Sequence, residues 1–393
     1  MWNNKPLLPT QSALLGFGQS SHIHRPYWSK LDGWLLLMYL LLMSFSLVVL
    51  HSSSGGEGTT VLRQTIRFGG GWLLFALVLG LKEQHIRRAT PYLFGLTVVL
   101  LLLVLVAGTE AGGAKRWLNL GFARIQPSEL AKITVPMMVA WFATITYRPL
   151  SALDIVMGLL LIAIPAALIF KEPDLGTTLL VTASGLIALF LAGLPWLLIA
   201  GFVLIVLTGA PLFWLYGIKE YQRDRVMTFL NPEADPWGKG YHITQSKIAI
   251  GSGGVEGKGY MQGTQSQLEF LPESSTDFIF SVIGEEFGLI GVSCLLLLYA
   301  VIIYRGLYLA TRLQDRFAQI VSSAIYLSFF INIFVNIGMV SGLLPVVGLP
   351  LALISYGGSS VLSLMVGFAL AMNLSASHRD SPATERLAHY NSR

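Results

Sequence analysis

Stretches of about twenty consecutive apolar residues recur along this chain of 393 residues, and that recurrence decides what it can fold into. A helix rises 1.5 Å per residue, so a run of about 20 residues matches the roughly 30 Å of a hydrocarbon core. About ten such runs can be read, with cores near Gly33–Leu50, Gln64–Leu81, Pro91–Gly108, Pro127–Tyr147, Ala152–Phe170, Leu175–Ala192, Pro195–Tyr216, Thr276–Tyr304, Ala318–Leu343 and Ser355–Leu374. With 54% hydrophobic and only 12% charged residues and a mean hydropathy of +0.65, a soluble globular fold is excluded. The expectation is an all-α, polytopic integral membrane helical bundle with a large extracytoplasmic loop between helices seven and eight.

Segment 1–32 is polar and carries Pro6, Pro9 and Pro26. It lacks an apolar stretch followed by a small-residue cleavage site, so the first span is expected to be retained. Residues 33–375 form the expected transmembrane domain, and 376–393 a tail. Lys82, Arg87, Arg88, Arg148, Arg305, Arg312, Arg316, Arg379 and Arg386 gather in short loops or the tail, which by the positive-inside rule puts both termini in the cytoplasm. The lone Cys294 lies inside the eighth expected span and allows no intramolecular disulfide. A net charge of +5 suits contact with anionic lipid but names no substrate.

Two segments on the opposite, outer side exceed ordinary connectors: Thr109–Gln126, and Gly217–Ser275, which contains the large loop. The second holds Lys219, Arg223, Arg225, Lys239, Lys247 and Lys258; the first holds Lys115, Arg116 and Arg124, with Arg63 nearby. A solvated outer domain is the bland reading. Phosphate binding is preferred, because cations recur in both segments. In QPSELAK, Gln126–Lys132, Pro127 suits the first helical position. Glu129 and Lys132 then share a face and are expected to pair, either as a charged site facing a cavity or as a pin for helix packing. In KEPDLG, Lys171–Gly176, capping accounts well for Asp174. For the eighth helix, Ser274, Ser275 or Thr276 is the expected N-cap and Asp277 falls in the first turn. Asp277, Ser281, Gly284, Gly288 and Gly291 make one small, polar stripe suited to close packing or to a cleft. Desolvation and nearby cations act on Asp277 in opposite directions. It is therefore either a general base or a capping acid. Glu285 and Glu286 lie too far along the helix to share its chemistry and are expected to hold helices together or face water.

Several stretches carry a family resemblance: KRWLNLG (115–121), QPSELAK (126–132), KEPDLGT (171–177), GTQSQLEFLPESSTDFIFSVIGEEFG (263–288) and GMVSGLLPVVGLPLALISYGGSS (338–360). Together they are similar to the SEDS family of bacterial envelope proteins (shape, elongation, division and sporulation), from the first span to the tenth. QSQLEFLPE and LLPVVGLPL resemble its rod-type rather than its division-type branch. The resemblance implies a peptidoglycan glycosyltransferase of the bacterial inner membrane, active on the outer face during cell elongation and rod-shape maintenance. It would polymerise lipid II, a disaccharide-pentapeptide on undecaprenyl pyrophosphate. Asp277 matches the family's catalytic aspartate in TDFIF, and Glu129 and Lys132 match the pair in QPSE. One base suits a single inverting displacement. Lys115, Arg116, Arg124, Lys132, Arg63, Arg223 and Arg225, with Glu129 and Asp174, are the expected substrate-binding residues.

The resemblance also implies a class B penicillin-binding protein as transpeptidase partner, within the elongation machinery. Helices eight and nine are its expected dock, through Gly284, Gly288, Gly291, Phe329, Phe330 and Phe334, with Ala318 and Ser322 further along. Contact inside the chain's own bundle is the alternative. No P-loop and no HExxH motif occurs, so nucleotide- or zinc-powered chemistry is unsupported, and nucleic acid is not an expected partner. No cofactor is assigned; a divalent cation on the pyrophosphate stays open, since carboxylates with a few waters suffice to hold one. A lipid-sugar flippase and a non-catalytic scaffold are the competing readings. Expected acids at the outer mouth (Asp277, Glu129, Asp174, Glu269 and Glu273) favour synthesis over transport.

Overall fold

The computed structural model describes residues 30–111, 114–119, 121, 124–145, 150–198, 239–268, 270–271 and 273–377, with isolated positions at 200–201, 204, 208–209, 223 and 227. Three helices come first: α1 (Gly33–Ser53), α2 (Gly58–Leu79) and α3 (Glu83–Ala107). A small sheet follows, of β1 (Thr109–Ala111), β2 (Ala114–Asn119) and β3 (Arg124–Ile125). Then come α4 (Pro127–Ile145), α5 (Ala152–Lys171), α6 (Leu175–Leu191), α7 (Lys239–Ser252), α8 (Thr264–Gln267), α9 (Ile279–Thr311), α10 (Arg316–Val340) and α11 (Ser359–Ser377).

Short polar side chains start several of these helices. Asp32 accepts from the Leu35 amide at 3.1 Å and also receives Arg305 at 2.8 Å, which ties the first turn of α1 to the last third of α9. Ser151 and Asp154 form a capping box on α5, and Asp315 caps α10 through the Ala318 amide. Each satisfies donors that a helix start leaves open.

Six of the described helices are long and apolar enough to cross a membrane: α1, α3, α5, α9, α10 and α11. Their interior is dense and aromatic at its centre, where Tyr39 stacks on Phe368 at 4.5 Å and its hydroxyl meets that of Tyr326 at 3.1 Å. Their outward faces are just as apolar: Leu96 and Leu103 on α3, or Leu153 and Leu160 on α5, are exposed. Water would penalise such surface, and a bilayer does not. Glycines set the closest approaches. A Cβ on Gly185 of α6 would press into Ile162 of α5, and one on Gly306 of α9 into the ring of Tyr326.

The sequence reading needs four adjustments. The Thr109–Gln126 segment is an antiparallel sheet, with Thr109 opposite Trp117 and Asn119 opposite Arg124, so the all-α description holds outside it. The large loop is not structureless, since α7 and α8 lie within it. Helix α9 starts at Ile279 and runs 33 residues, longer than the expected span, and α11 starts at Ser359 rather than Ser355. The seventh expected span, Pro195–Tyr216, lies largely outside the described residues.

Gly306→Ala is expected to cost about 1–3 kcal/mol by overpacking against Tyr326. A lowered unfolding temperature in detergent would register it. Gly95→Ala, where a Cβ meets nothing within 4 Å, is the control expected to leave that temperature unchanged.

Candidate active site

Two stretches leave helical geometry at the same end of the bundle, and they hold each other. One is the turn 273–278 ahead of α9; the other is the connection 341–358 between α10 and α11. The Tyr356 amide donates to the Ser275 carbonyl at 2.8 Å, and the Ser355 hydroxyl donates to the Thr276 carbonyl. Asn336 of α10 donates to the carbonyls of both Asp277 (3.0 Å) and Leu349 (2.6 Å). Backbone that is neither helix nor sheet keeps its carbonyls satisfied only through such bonds.

Asp277 therefore sits in a stapled turn, not in a first helical turn. The cap position of α9 belongs to Phe278, which makes no side-chain cap bond. Ser274, Ser275 and Thr276 are not caps either: Ser275 meets the Ser53 hydroxyl at 3.1 Å, Ser274 donates to the Ser53 carbonyl at 3.3 Å, and Thr276 bonds the Glu273 carboxylate. A capping role for Asp277 is thus removed by geometry. Its carboxylate faces Gly348, whose backbone has φ +74° and where a Cβ would stand 3.4 Å from Oδ2. Burial pushes the Asp277 carboxyl up to about 6, helped by the charges of Glu273 and Asp174 and opposed by Arg116.

The KEPDLG turn completes this end. Asp174 caps α6, accepting from the Thr177 amide and hydroxyl, both at 3.0 Å, and from Gln126 at 3.2 Å. Arg116 of β2 reaches over from the sheet: its Nη1 is 4.0 Å from Asp174, and its other nitrogens donate to the carbonyls of Glu172 and Pro173. The cap that the sequence predicts for Asp174 is present, and the same carboxylate stands beside Arg116. Gly176 allows the start of α6 to lie on the 347–349 strand of chain, since a Cβ there would stand 2.8 Å from Leu349 and 3.0 Å from the Val347 carbonyl. Glu172 is buried, and neither of its carboxylate oxygens has a hydrogen-bond partner among the described residues. Burial raises it to about 8, with Asp174 adding and Arg116 opposing.

Glu129 and Lys132 pair at 2.7 Å, as their spacing predicts, and Ser363 of α11 donates to the same carboxylate at 2.6 Å. Lys132 lines a cleft between α4, α6, α10 and α11 together with Leu180, Phe329, Asn332 and Ser363. Buried Asn332 has no partner for its Oδ1 among the described residues.

The remaining expected cations are not all gathered. Lys115 and Arg124 are exposed on the sheet, Arg63 is exposed on α2 and Arg223 is exposed. Arg225 and Glu269 lie outside the described residues. Lys258, counted among the loop cations, is engaged by Glu285 at 2.7 Å. Sequence reasoning missed Arg67, whose guanidinium lies 4.0 Å over the Tyr356 ring, and missed Asn336 and Glu172. Arg67 follows Arg63 by one helical turn, and that spacing was a readable signal. Among the described residues no group of three or more His, Cys, Asp or Glu side chains is arranged to hold a metal ion.

The family model for the cell cycle proteins FtsW, RodA and SpoVE matches residues 29–380. The chain belongs to this family, the SEDS family. The peptidoglycan glycosyltransferase MrdB of Escherichia coli K12 is 47% identical over 352 residues, 89% of this chain and 95% of that one. A solved chain from a peptidoglycan synthase complex that coordinates polymerization and crosslinking shares 32% identity at a TM-score of 0.77, covering 89% of this chain and 99% of its own. The rod shape determining protein RodA of Thermus thermophilus, also solved, shares 28% identity at a TM-score of 0.70, covering 91% and 100%. The likeness falls on the RodA rather than the FtsW side of the family, where QSQLEFLPE and LLPVVGLPL place it. It is accordingly a multi-pass membrane protein, built as a helical bundle.

Glu172 gives a testable sign. A carboxyl raised from 4.5 to about 8 binds its proton more tightly folded than unfolded, so it withdraws stability as pH climbs through that window. Glu172→Gln should therefore raise the unfolding temperature at pH 8 more than at pH 5. An equal shift at both values would mean that the carboxyl is ionised and paired.

Proposed function

We propose that the chain is an inverting peptidoglycan glycosyltransferase that extends glycan strands from lipid II with Asp277 as its general base. The enzyme class is that of its relatives, peptidoglycan glycosyltransferase. The observation that carries the mechanism is the setting of Asp277: a desolvated carboxylate of raised pKa, fixed through its own backbone, in the field of Asp174 and Arg116. A base whose pKa lies just below working pH is ionised yet still basic enough to accept a proton in the transition state.

In this reading Asp277 takes the proton from the 4-hydroxyl of an acceptor GlcNAc. The freed oxygen attacks the anomeric carbon of a donor MurNAc, forming the β-linkage as the α-bond to the lipid pyrophosphate breaks. Charge then builds on the departing pyrophosphate, where fixed guanidinium and ammonium groups are most effective. Arg116 is the best placed, because Asp174 and two backbone carbonyls hold it in position. Lys132 faces the cleft between helices, and Arg63, Lys115, Arg124, Arg223 and Arg225 supply a wider cationic field for the incoming substrate. The polyprenyl tail would stay among apolar helix faces. Cell elongation and rod-shape maintenance would be the biological setting.

The same reading puts Asp277 on the outer face of the bacterial inner membrane, with both termini in the cytoplasm, 33–375 as the catalytic membrane domain and 1–32 and 376–393 as its flanks. A class B penicillin-binding protein would dock on the exposed face of α10 within the elongation machinery. Phe330 and Phe334 stack on each other there at 6.1 Å and are open to the surroundings. Of the other expected dock residues, Gly291 lies nearest Phe287 of its own helix, and the rest serve the chain itself. Phe329, Ala318 and Ser322 are buried in the bundle, Gly284 packs on Ile250, and Gly288 packs on the segment after α7.

Asp277→Asn should abolish polymer formation from lipid II while leaving the unfolding temperature near its starting value. In the unaltered protein, kcat/KM should fall as pH drops through about 6, since protonation removes the base. Product at normal levels from a well-folded Asp277→Asn protein would sink the catalytic reading and favour a scaffold. For the ion pair, the combined exchange Glu129→Lys with Lys132→Glu should remain at least about tenfold below normal turnover. Full recovery by that exchange would make the pair a packing device.

A further inference from the structure

Helix α9 is broken near its start, and a separate segment of chain fills the break. Gly288 has φ +61° and ψ −160° within an otherwise helical run, so its neighbours lose their normal intrahelical partners. The carbonyls of Glu285 and Glu286 instead accept from the amides of Lys258 (2.9 Å) and Gly259 (3.0 Å). The amides of Leu289 and Ile290 donate to the carbonyls of Gly254 (3.0 Å) and Val255 (3.1 Å). Glycine makes the approach feasible on both sides: a Cβ on Gly253 would meet the Gly284 carbonyl, and one on Gly257 the Glu286 carbonyl.

One side chain locks this clasp. Glu285 is fully buried and accepts from Lys258 Nζ at 2.7 Å, the Thr264 hydroxyl at 3.1 Å, the Gln265 amide at 3.0 Å and the Ser266 amide at 3.3 Å. Every one of these donors comes from the single segment 253–267. That segment is tied in turn to the end of α1, where Gln267 donates to the Ser52 carbonyl at 3.0 Å and Ser52 donates to Glu286. A buried carboxylate is tolerable only with such a set of donors, and losing one partner exposes the full desolvation cost.

We propose that Glu285 is a positioning residue for Asp277, holding segment 253–267 as a clasp that sets the angle of α9 at Gly288. The piece of α9 ahead of the break, Ile279–Gly288, is a lever about 15 Å long, with Asp277 just beyond its far end. A change of about 10° at the break would move that end by about 2.5 Å, whereas a misplacement of about 1 Å can cost a hundredfold in rate. The bonds from Asn336, Ser355 and Tyr356 fix the tip to the 341–358 connection, and the clasp fixes the hinge. Beyond Ile290, α9 is held by Arg305 on Asp32 at the start of α1 and by Tyr299 and Gly306 against Phe329 and Tyr326 of α10, so release of the clasp should alter rate before it alters folding. The inference rests on Asp277 being the base.

The test uses the purified full chain with lipid II, reading kcat, KM, unfolding temperature and amide exchange. Lys258→Met and Glu285→Gln should each lower kcat by at least about tenfold, hold KM within about twofold, and speed exchange at 258–259 and 289–290. Lys258→Arg should restore both rate and protection. A rise in exchange with kcat unchanged would overturn the proposal, as would a loss of kcat with exchange unchanged or a loss confined to KM. Should Glu285→Gln fail to fold, Lys258→Met, which leaves the buried acid in place and alters a part-exposed partner, decides the matter. A dead Asp277→Asn beside a normal Lys258→Met would refute the clasp alone; an active Asp277→Asn would refute the base assignment beneath it.

Discussion

Polypeptide that departs from helix inside a membrane bundle must find hydrogen-bond partners within the protein, because lipid offers none. The structure meets this requirement by setting irregular stretches against each other. The 273–278 turn is satisfied by 341–358 and by Asn336, while Gln64 of α2 donates to the Ser355 carbonyl at 3.4 Å. One consequence is positional: the carbonyl of Asp277 is held by a buried amide, so its carboxylate is presented by backbone and not by a mobile rotamer alone. The break in α9 obeys the same rule, with the 254–259 backbone standing in for the missing helical turn.

The carboxylates gathered at this end are separated by environment. Asp174 is fully engaged, capping α6 and receiving Gln126 and Arg116. Glu172 is close by in sequence, its carboxylate takes no hydrogen bond among the described residues, and burial raises it to about 8. Burial, with the charges of Glu273 and Asp174, raises Asp277 to about 6 against the pull of Arg116. Like charges in one low-dielectric region cannot all ionise cheaply, so burial and the neighbouring charges together decide how readily Asp277 gives up its proton. Asp277 is left able to exchange one near neutral pH, the property that base catalysis requires.

How much of this was legible in the sequence follows from the range of each interaction. Apolar length revealed the helices, and the i, i+3 spacing of Glu129 and Lys132 revealed a pair found at 2.7 Å. Capping chemistry placed Asp174 at the start of α6. What local rules could not supply were contacts distant along the chain. A reading of TDFIF as the first helical turn is locally sound, since acid and hydroxyl residues there resemble a cap. It fails because Tyr356, Ser355 and Asn336 bind the carbonyls of 275–277 and hold the turn open. Arg67 and Asn336 were missed for the same reason: their partners lie far away in sequence, at Tyr356 and at Asp277 and Leu349.

The stripe of Ser281, Gly284 and Gly288 shows how a correct local reading can leave the partner open. Small residues at helical spacing predict close backbone approach, and close approach is what the structure contains. The approaching chain is this protein's own α7 and the segment after it: Gly284 lies against Ile250, and Gly288 against Gly257 and the Val255 carbonyl. That occupancy removes the stripe from the surface offered to a second protein. The apolar area still open on the neighbouring helix is carried by Phe330 and Phe334, large aromatic groups of the kind that dominate binding energy at interfaces. The glycines shape the enzyme internally, then, and the aromatics next door are left to face a partner or lipid; an interface built on them would engage α10 without disturbing the clasp that holds α9.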